Sequence, residues 1–152
     1  WVYNKRSSGK IKFLLLRDGT GTVQGILVKG QAPDSVFENF DKLTQVLINL
    51  LSNANKYSQE DKKIEISIDS RQKNNLAYVG IKVKDYGVGM SKRDLDRLFE
   101  PFFRSTNTMK VPGTGLGMCI VKEIIDIHGG EIEVDSEPEV GTQVTVWVPM
   151  AN

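Results

Sequence analysis

The 152 residues include only one cysteine and only one histidine. Cys119 stands among apolar neighbours, so no disulfide framework exists and a reducing compartment fits. Its plainest role is that of a small buried core residue. An excess of either charge is also lacking: 20 basic against 19 acidic residues leave a net charge of +1, which by itself indicates neither an acidic nor a basic partner. No apolar run approaches the roughly 18 residues of a membrane span, and no signal peptide is visible. Membrane contact is therefore not expected, and any membrane part of a parent protein would lie elsewhere. Internal repeats and low-complexity tracts are missing too.

What is present suits a globular domain. The length allows one domain or a little more with a real core, and 39% hydrophobic with 26% charged residues is ordinary composition. Charge is unevenly spread, however. Residues 1–30 carry Lys5, Arg6, Lys10, Lys12, Arg17 and Lys29 against the single acid Asp18. A shift of this kind often marks a junction between segments of different origin.

The coarse element order follows from periodicity. "KIKFLLLRDGTGTVQGILVKG" reads as two strands joined through an Asp-Gly turn. "FDKLTQVLINLLSNANKYS" is a helix, because Leu43, Val46, Leu47, Leu50, Leu51 and Ala54 fall on one face. "KIEISID" alternates with Ile64, Ile66 and Ile68 on one side, and "LAYVGIKVKD" adds a second strand with Ala77, Val79, Ile81 and Val83 inward. Ser91 caps a short helix with Asp94 three residues on. Leu116 to His128 forms a helix closed by Gly129, and "EIEVD" and "QVTVWVP" supply two last strands around Gly141. Strands gathered about two long helices predict an α+β sandwich, helices on one face of a mixed sheet.

Four stretches could carry chemistry. Gly113, Gly115 and Gly117 crowd the start of a helix, where each glycine costs about 1 kcal/mol against alanine. Free amides and the helix dipole favour an anion such as phosphate there, although glycine-rich turns also occur where nothing binds. Asn49, Asn53 and Lys56 form a stripe on the first long helix. They are either a solvated flank or neutral oxygens for a magnesium ion with a lysine for phosphate. Asp85 in "DYGVGM" ends a strand, as an ordinary turn residue or as an acceptor for an exocyclic amine such as that of adenine. "FEPFFR" precedes a polar stretch ending at Pro112, a layout for core phenylalanines or for a lid anchored by aromatics, with Arg104 reaching a terminal phosphate.

In this order, NLLSNANKYS, DYGVGM, FEPFFR and GTGLGM resemble the N, G1, F and G2 boxes of sensor histidine kinases. That family belongs to a wider ATPase superfamily with gyrase and the ninety-kilodalton heat-shock chaperone. The resemblance runs from about Asp41 to Pro149 and implies a two-layer α/β sandwich that binds ATP or ADP with Mg2+. It implies magnesium on Asn53, with Asn49 one turn earlier, and phosphate- and ribose-side positions at Lys56 and Tyr57. Asp85 matches the carboxylate for the adenine amine, flanked by Gly87, Gly89 and Met90, with Thr142 supporting it from the far strand. Phe99, Phe102 and Arg104 fall in the F box, and Gly113, Thr114, Gly115, Leu116 and Gly117 in the phosphate-side lid.

Two departures qualify this. Family ATPases usually hold a glutamate one turn before the magnesium asparagine. Asn49 stands there, and its neutral amide cannot take a proton, so a kinase is implied rather than a hydrolase. The family's phospho-acceptor is a histidine on a dimerising hairpin, whereas His128 in "DIHGGEI" matches a structural position at a helix end. Neither hydrolysis nor self-labelling is expected of this chain. In an intact kinase, partners would be the dimerisation and phosphoacceptor domain and a response regulator, on the cytoplasmic side of the membrane.

"WVYNKRSSGKIKFLLLRDGTGTVQGILVKG" resembles instead the anticodon-binding domain of asparaginyl-tRNA synthetases, to about Gln45. The chain thus reads as a chimera, with a hairpin segment at 1–40 and the kinase domain at 41–152. Too few strands are present to close an oligonucleotide-binding barrel. The hairpin, through Phe13, Leu15, Ile26 or Val28, is therefore expected on the open edge of the kinase sheet. Alternatives are an RNA-binding module resting on the basic segment, or a folded but inert recombinant. Nucleic acid is not the expected partner.

Overall fold

The computed structural model describes residues 2–17, 22–29, 39–58, 63–105 and 111–150. In the first three strands the described side chains are those of Ser8, Ile11, Lys12, Leu15, Gln24 and Val28. Two compact units divide the chain between Gln45 and Val46, five residues beyond the boundary expected from sequence.

The first unit holds β1 (Val2–Ser8), β2 (Ile11–Arg17) and β3 (Thr22–Val28), antiparallel in the order β1-β2-β3. The expected hairpin forms, with Ile11 opposite Val28 and Leu15 opposite Gln24. The expectation that these strands extend the sheet of the second unit is corrected: β1–β3 form a sheet of their own, separate from the four-stranded one. β1, a basic loop in the sequence reading, pairs with β2 from Val2↔Arg17 to Ser8↔Ile11 and so takes up the edge that β2 would otherwise offer to another sheet. The Asp18-Gly19 turn and the side chains of Phe13 and Ile26 lie outside the described residues. Leu15 and Val28 are half-buried. Lys12 is buried, its ammonium 5.5 Å from the Phe40 ring centroid and 3.8 Å from the Asp41 carboxylate.

Helix α1 (Phe40–Tyr57) leads into the second unit, followed by β4 (Glu65–Lys73), β5 (Leu76–Asp85), α2 (Lys92–Leu95), α3 (Gly117–Ile127), β6 (Glu131–Glu137) and β7 (Gly141–Pro149). The sheet order is β4-β5-β7-β6, and every described pairing is antiparallel where a mixed sheet was expected. The α+β architecture stands. Val46, Leu50, Leu51 and Ala54 of α1 and Met118, Val121, Ile124 and Ile125 of α3 are buried, as are Val83 and Val146 of the sheet. Burial at about 25 cal/mol per Å² of apolar surface is the main force holding these layers together. Ile66 and Ile68 alternate as expected but stay exposed, because β4 is the edge strand. On the opposite face Trp147 lies over Gly80, where an added Cβ would come 2.5 Å from the indole. The Arg71 guanidinium stacks 4.1 Å above that ring and pairs with Glu131 and Glu133.

Local signals were read correctly at the helix ends. Ser91 Oγ accepts from the Asp94 N–H at 3.2 Å and donates to the Asp94 carboxylate at 2.9 Å, which satisfies an orphan donor at the start of α2. His128 caps the end of α3, with Nδ1 2.6 Å from the Ile124 carbonyl.

Candidate nucleotide-binding site

A cavity of about 320 Å³ opens in the second unit, walled by α1, the end of β5 with the loop after it, the segment 103–105, the start of α3 and β7. Its floor is set by strand register. Asp85 on β5 lies opposite Thr142 on β7, and Thr142 opposite Ser136 on β6. Asp85 is only 7% exposed. Its Oδ1 accepts the N–H groups of Gly87 at 2.9 Å and Thr142 at 3.3 Å. Oδ2 accepts no hydrogen bond among the described residues, and Asp85 lines the cavity. Burial raises the Asp85 pKa from its ordinary value, against the two amide hydrogen bonds that lower it. The result is an acceptor held in place and open on one side.

Glycine is required where the loop after β5 meets its neighbours. A Cβ on Gly87 would lie 2.0 Å from the Tyr57 carbonyl oxygen, the same oxygen that accepts the Val88 N–H at 3.2 Å. The end of α1 is thereby sewn to the loop that holds Asp85. Gly115 has φ +75 and packs where a Cβ would come 2.7 Å from the Phe102 carbonyl carbon. The Gly115 carbonyl accepts the Phe102 N–H at 3.1 Å. Gly113 lines the cavity, and nothing lies within 4 Å of a Cβ built on it.

Asn49, Asn53, Lys56 and Tyr57 bring one face of α1 into the wall. Asn49 Nδ2 donates to the Gly117 carbonyl at 3.3 Å, tying α1 to the start of α3. The Asn53 amide sits beside Gly117, 3.8 Å from where its Cβ would be. Gly89, Met90, Arg104, Thr114, Leu116 and Thr142 also line the cavity. Arg104 donates to the Val111 carbonyl and thereby spans the segment read as a lid, of which residues 106–110 lie outside those described.

Three predicted residues do not line the cavity. Gly87 acts from behind, through its amide on Asp85. Phe99 is half-buried, and Phe102 is 71% exposed with φ +62, turned outward where Gly115 meets its backbone. Phe103 takes the inward position instead, with Arg97 4.4 Å from its ring centroid. Ser105, Val88 and Val144 also line the cavity without a sign in the sequence, and Asp94, expected only as the partner of the Ser91 cap, joins them. Val83, expected only as core, lines it too.

Fold and cavity together define an α+β domain with a buried carboxylate in the floor of its cavity. The family model described as "Histidine kinase-, DNA gyrase B-, and HSP90-like ATPase" matches residues 38–152, and the chain belongs to that family. Within it, the similarity is to sensor kinases. The chain is 45% identical over 111 residues to sensor histidine kinase WalK of Bacillus subtilis, covering 72% of this chain and 18% of that protein. It is 34% identical over 145 residues to sensor protein kinase WalK of Staphylococcus aureus strain MRSA252, covering 91% and 23%. Among solved structures, the mycobacterial sensor histidine kinase MprB matches with TM-score 0.62 and 28% identity over 72% of this chain and 71% of that one. Full-length ShkA in complex with AMPPNP matches with TM-score 0.58 and 26% identity over 73% and 22%. The chain thus spans about a fifth of the two curated relatives. These similarities lend no support to the synthetase resemblance, to a chimera or to an RNA-binding role. The alignment covering 91% of the chain reaches into residues 1–40. Among the described residues no helix is long and apolar enough to cross a membrane.

Proposed function

We propose that this chain binds Mg-ATP or Mg-ADP in the cavity, as the ATP-binding catalytic domain of a two-component sensor histidine kinase. One observation carries the reading: a buried carboxylate, fixed through Oδ1 and open at Oδ2, lies in the floor of a cavity whose other wall gathers neutral amides, a lysine and open glycine backbone. Asp85, held from behind by the Gly87 amide, accepts the adenine amine, with Gly89 and Met90 shaping the purine side and Thr142 beside it. Asn53, with Asn49 one turn earlier, would hold magnesium, a hard cation that takes oxygen ligands and keeps several waters. Lys56 and Arg104 meet phosphate, Tyr57 the ribose, and residues 113–117 offer amides to the phosphates at the start of α3. The metal would supply charge neutralisation along the phosphates. In the full protein the domain would transfer the terminal phosphoryl group to a histidine of a dimerising phosphoacceptor domain, on the cytoplasmic side, for relay to a response regulator. Full-length ShkA, a structural relative, was solved with AMPPNP.

Calorimetric titration with an ATP analogue, with and without magnesium, tests this directly. Saturable binding that magnesium strengthens is expected. Asn53→Ala should lose about tenfold in affinity with magnesium present, or 1.4 kcal/mol, and little without it. An Asn53→Ala protein that keeps its full magnesium dependence would remove Asn53 from the metal site.

Turnover by this chain alone is not expected. Asn49 has no basic atom and its amide nitrogen is engaged with Gly117. His128 holds the end of α3 through Nδ1 and does not line the cavity. Incubation with radiolabelled ATP should yield neither free phosphate nor labelled protein. Acid-labile, base-stable phosphate on His128 would overturn its assignment as a cap.

A further inference from the structure

Ser136, one strand away from the floor of the cavity, meets three polar groups with one proton and two lone pairs. The Met90 N–H donates to its Oγ at 2.9 Å. Its own hydroxyl donates to the Gly141 carbonyl at 3.0 Å. Thr142 Oγ1 lies 2.8 Å away. A backbone N–H can only donate and a carbonyl can only accept, so two of the three polarities are fixed. With its proton spent on Gly141, Ser136 can offer Thr142 only a lone pair. Thr142 must therefore turn its own proton toward Ser136, and its oxygen meets the cavity as an acceptor alone.

We infer that Ser136 is a positioning residue for base specificity, acting through the polarity of the Thr142 hydroxyl. The inference rests on the nucleotide reading of the cavity and deepens it. Register sets Asp85, Thr142 and Ser136 side by side across β5, β7 and β6. Asp85 Oδ2 and Thr142 Oγ1 then form a floor of acceptors with no donor between them. A 6-aminopurine presents two N–H groups to such a floor, directly or through a water. A 6-oxopurine presents a carbonyl at C6 and only its N1–H as a donor; the carbonyl finds no donor and faces buried acceptors, an arrangement that rejects the wrong ligand more strongly than a lost contact would. Without Ser136 as acceptor, the Thr142 hydroxyl could turn and donate into the cavity, and the discrimination would weaken. The same serine holds Met90, and with it the loop that frames the purine.

The test is the ratio of ATP to ITP affinity, measured by calorimetry with magnesium in wild type, Ser136→Ala and Ser136→Thr. Ser136→Ala should lower the ratio about tenfold, chiefly by improving ITP, the size of one well-made hydrogen bond. Ser136→Thr keeps the hydroxyl and should restore the ratio. In a Thr142→Val background the further change Ser136→Ala should leave the ratio unmoved, because the hydroxyl it orients is gone. If Ser136→Ala weakens ATP and ITP in parallel, Ser136 is structural only and the inference fails while nucleotide binding stands. An unchanged ratio in a Ser136→Ala protein that still binds ATP overturns it equally. Wild-type protein that binds neither nucleotide overturns the reading of the cavity and this inference with it.

Discussion

Asp85→Asn is expected to weaken ATP binding by about 10- to 100-fold while raising the melting temperature of the nucleotide-free protein at neutral pH. The first effect follows from which oxygen is occupied. Oδ1 accepts from both Gly87 and Thr142, so an asparagine must keep its carbonyl there and point its NH2 into the cavity. A donor then faces the donor of the adenine amine, and a charge-assisted hydrogen bond worth about 1.5–3 kcal/mol is lost. The second effect follows from desolvation. Burial raises the pKa of Asp85 from its ordinary 3.8, so the folded protein holds a proton that the unfolded chain releases more readily. The stability contributed by that proton is full below 3.8 and is lost as pH climbs through the folded value. Above it, ionised Asp85 costs stability that asparagine does not. Melting curves from pH 4 to 8 should therefore show the variant gaining on wild type as pH rises. A gap independent of pH would mean that Asp85 is not desolvated in the folded protein.

Gly87→Ala should fail in a different way, losing stability and binding together. Its Cβ would lie 2.0 Å from the Tyr57 oxygen, backbone that cannot rotate away. Either the end of α1 moves or the loop does, and both break the Val88 to Tyr57 hydrogen bond and disturb the amide that holds Asp85. Overpacking of this kind costs about 1–3 kcal/mol, which for a unit of this size lowers Tm by roughly 4–20 °C. ATP affinity should fall at least about tenfold with it. Gly113→Ala is the comparison: with open space around its Cβ, it should melt with wild type. Equal melting of Gly87→Ala and wild type would show that the contact is not made in solution.

Much of the site was legible because its residues carry local signals. Asp85 closes an alternating strand just before two glycines, and Asn49, Asn53 and Lys56 keep helical spacing beside an apolar face. What stayed hidden depends on partners far along the chain. Nothing near Ser136 hints that it would lie opposite Thr142, and nothing near Gly80 foretells the indole of Trp147 above it. Three phenylalanines in "FEPFFR" look alike in sequence. The contact of the Phe102 backbone with Gly115 turns Phe102 out and leaves Phe103 facing in. Strand β1 lacks apolar alternation at Asn4-Lys5-Arg6, and it is a strand because β2 offers it a full ladder of partners. The basic stretch was legible as charge and illegible as structure.

The row Asp85, Thr142, Ser136 has a meaning in time as well as in space. Asp85 and the Thr142 amide that steadies it are 57 residues apart in sequence, and they meet only when β7, the last strand, has paired with β5 and β6. Non-local pairings of this kind form late, because chain closure is costly before contacts reward it. Helix α1 and the β4–β5 hairpin can assemble beforehand without creating a place for a base. Competence to bind nucleotide should therefore appear with the final phase of refolding, after most helical signal has returned. A fluorescent ATP analogue added during refolding would act as a clock for the closing of the sheet.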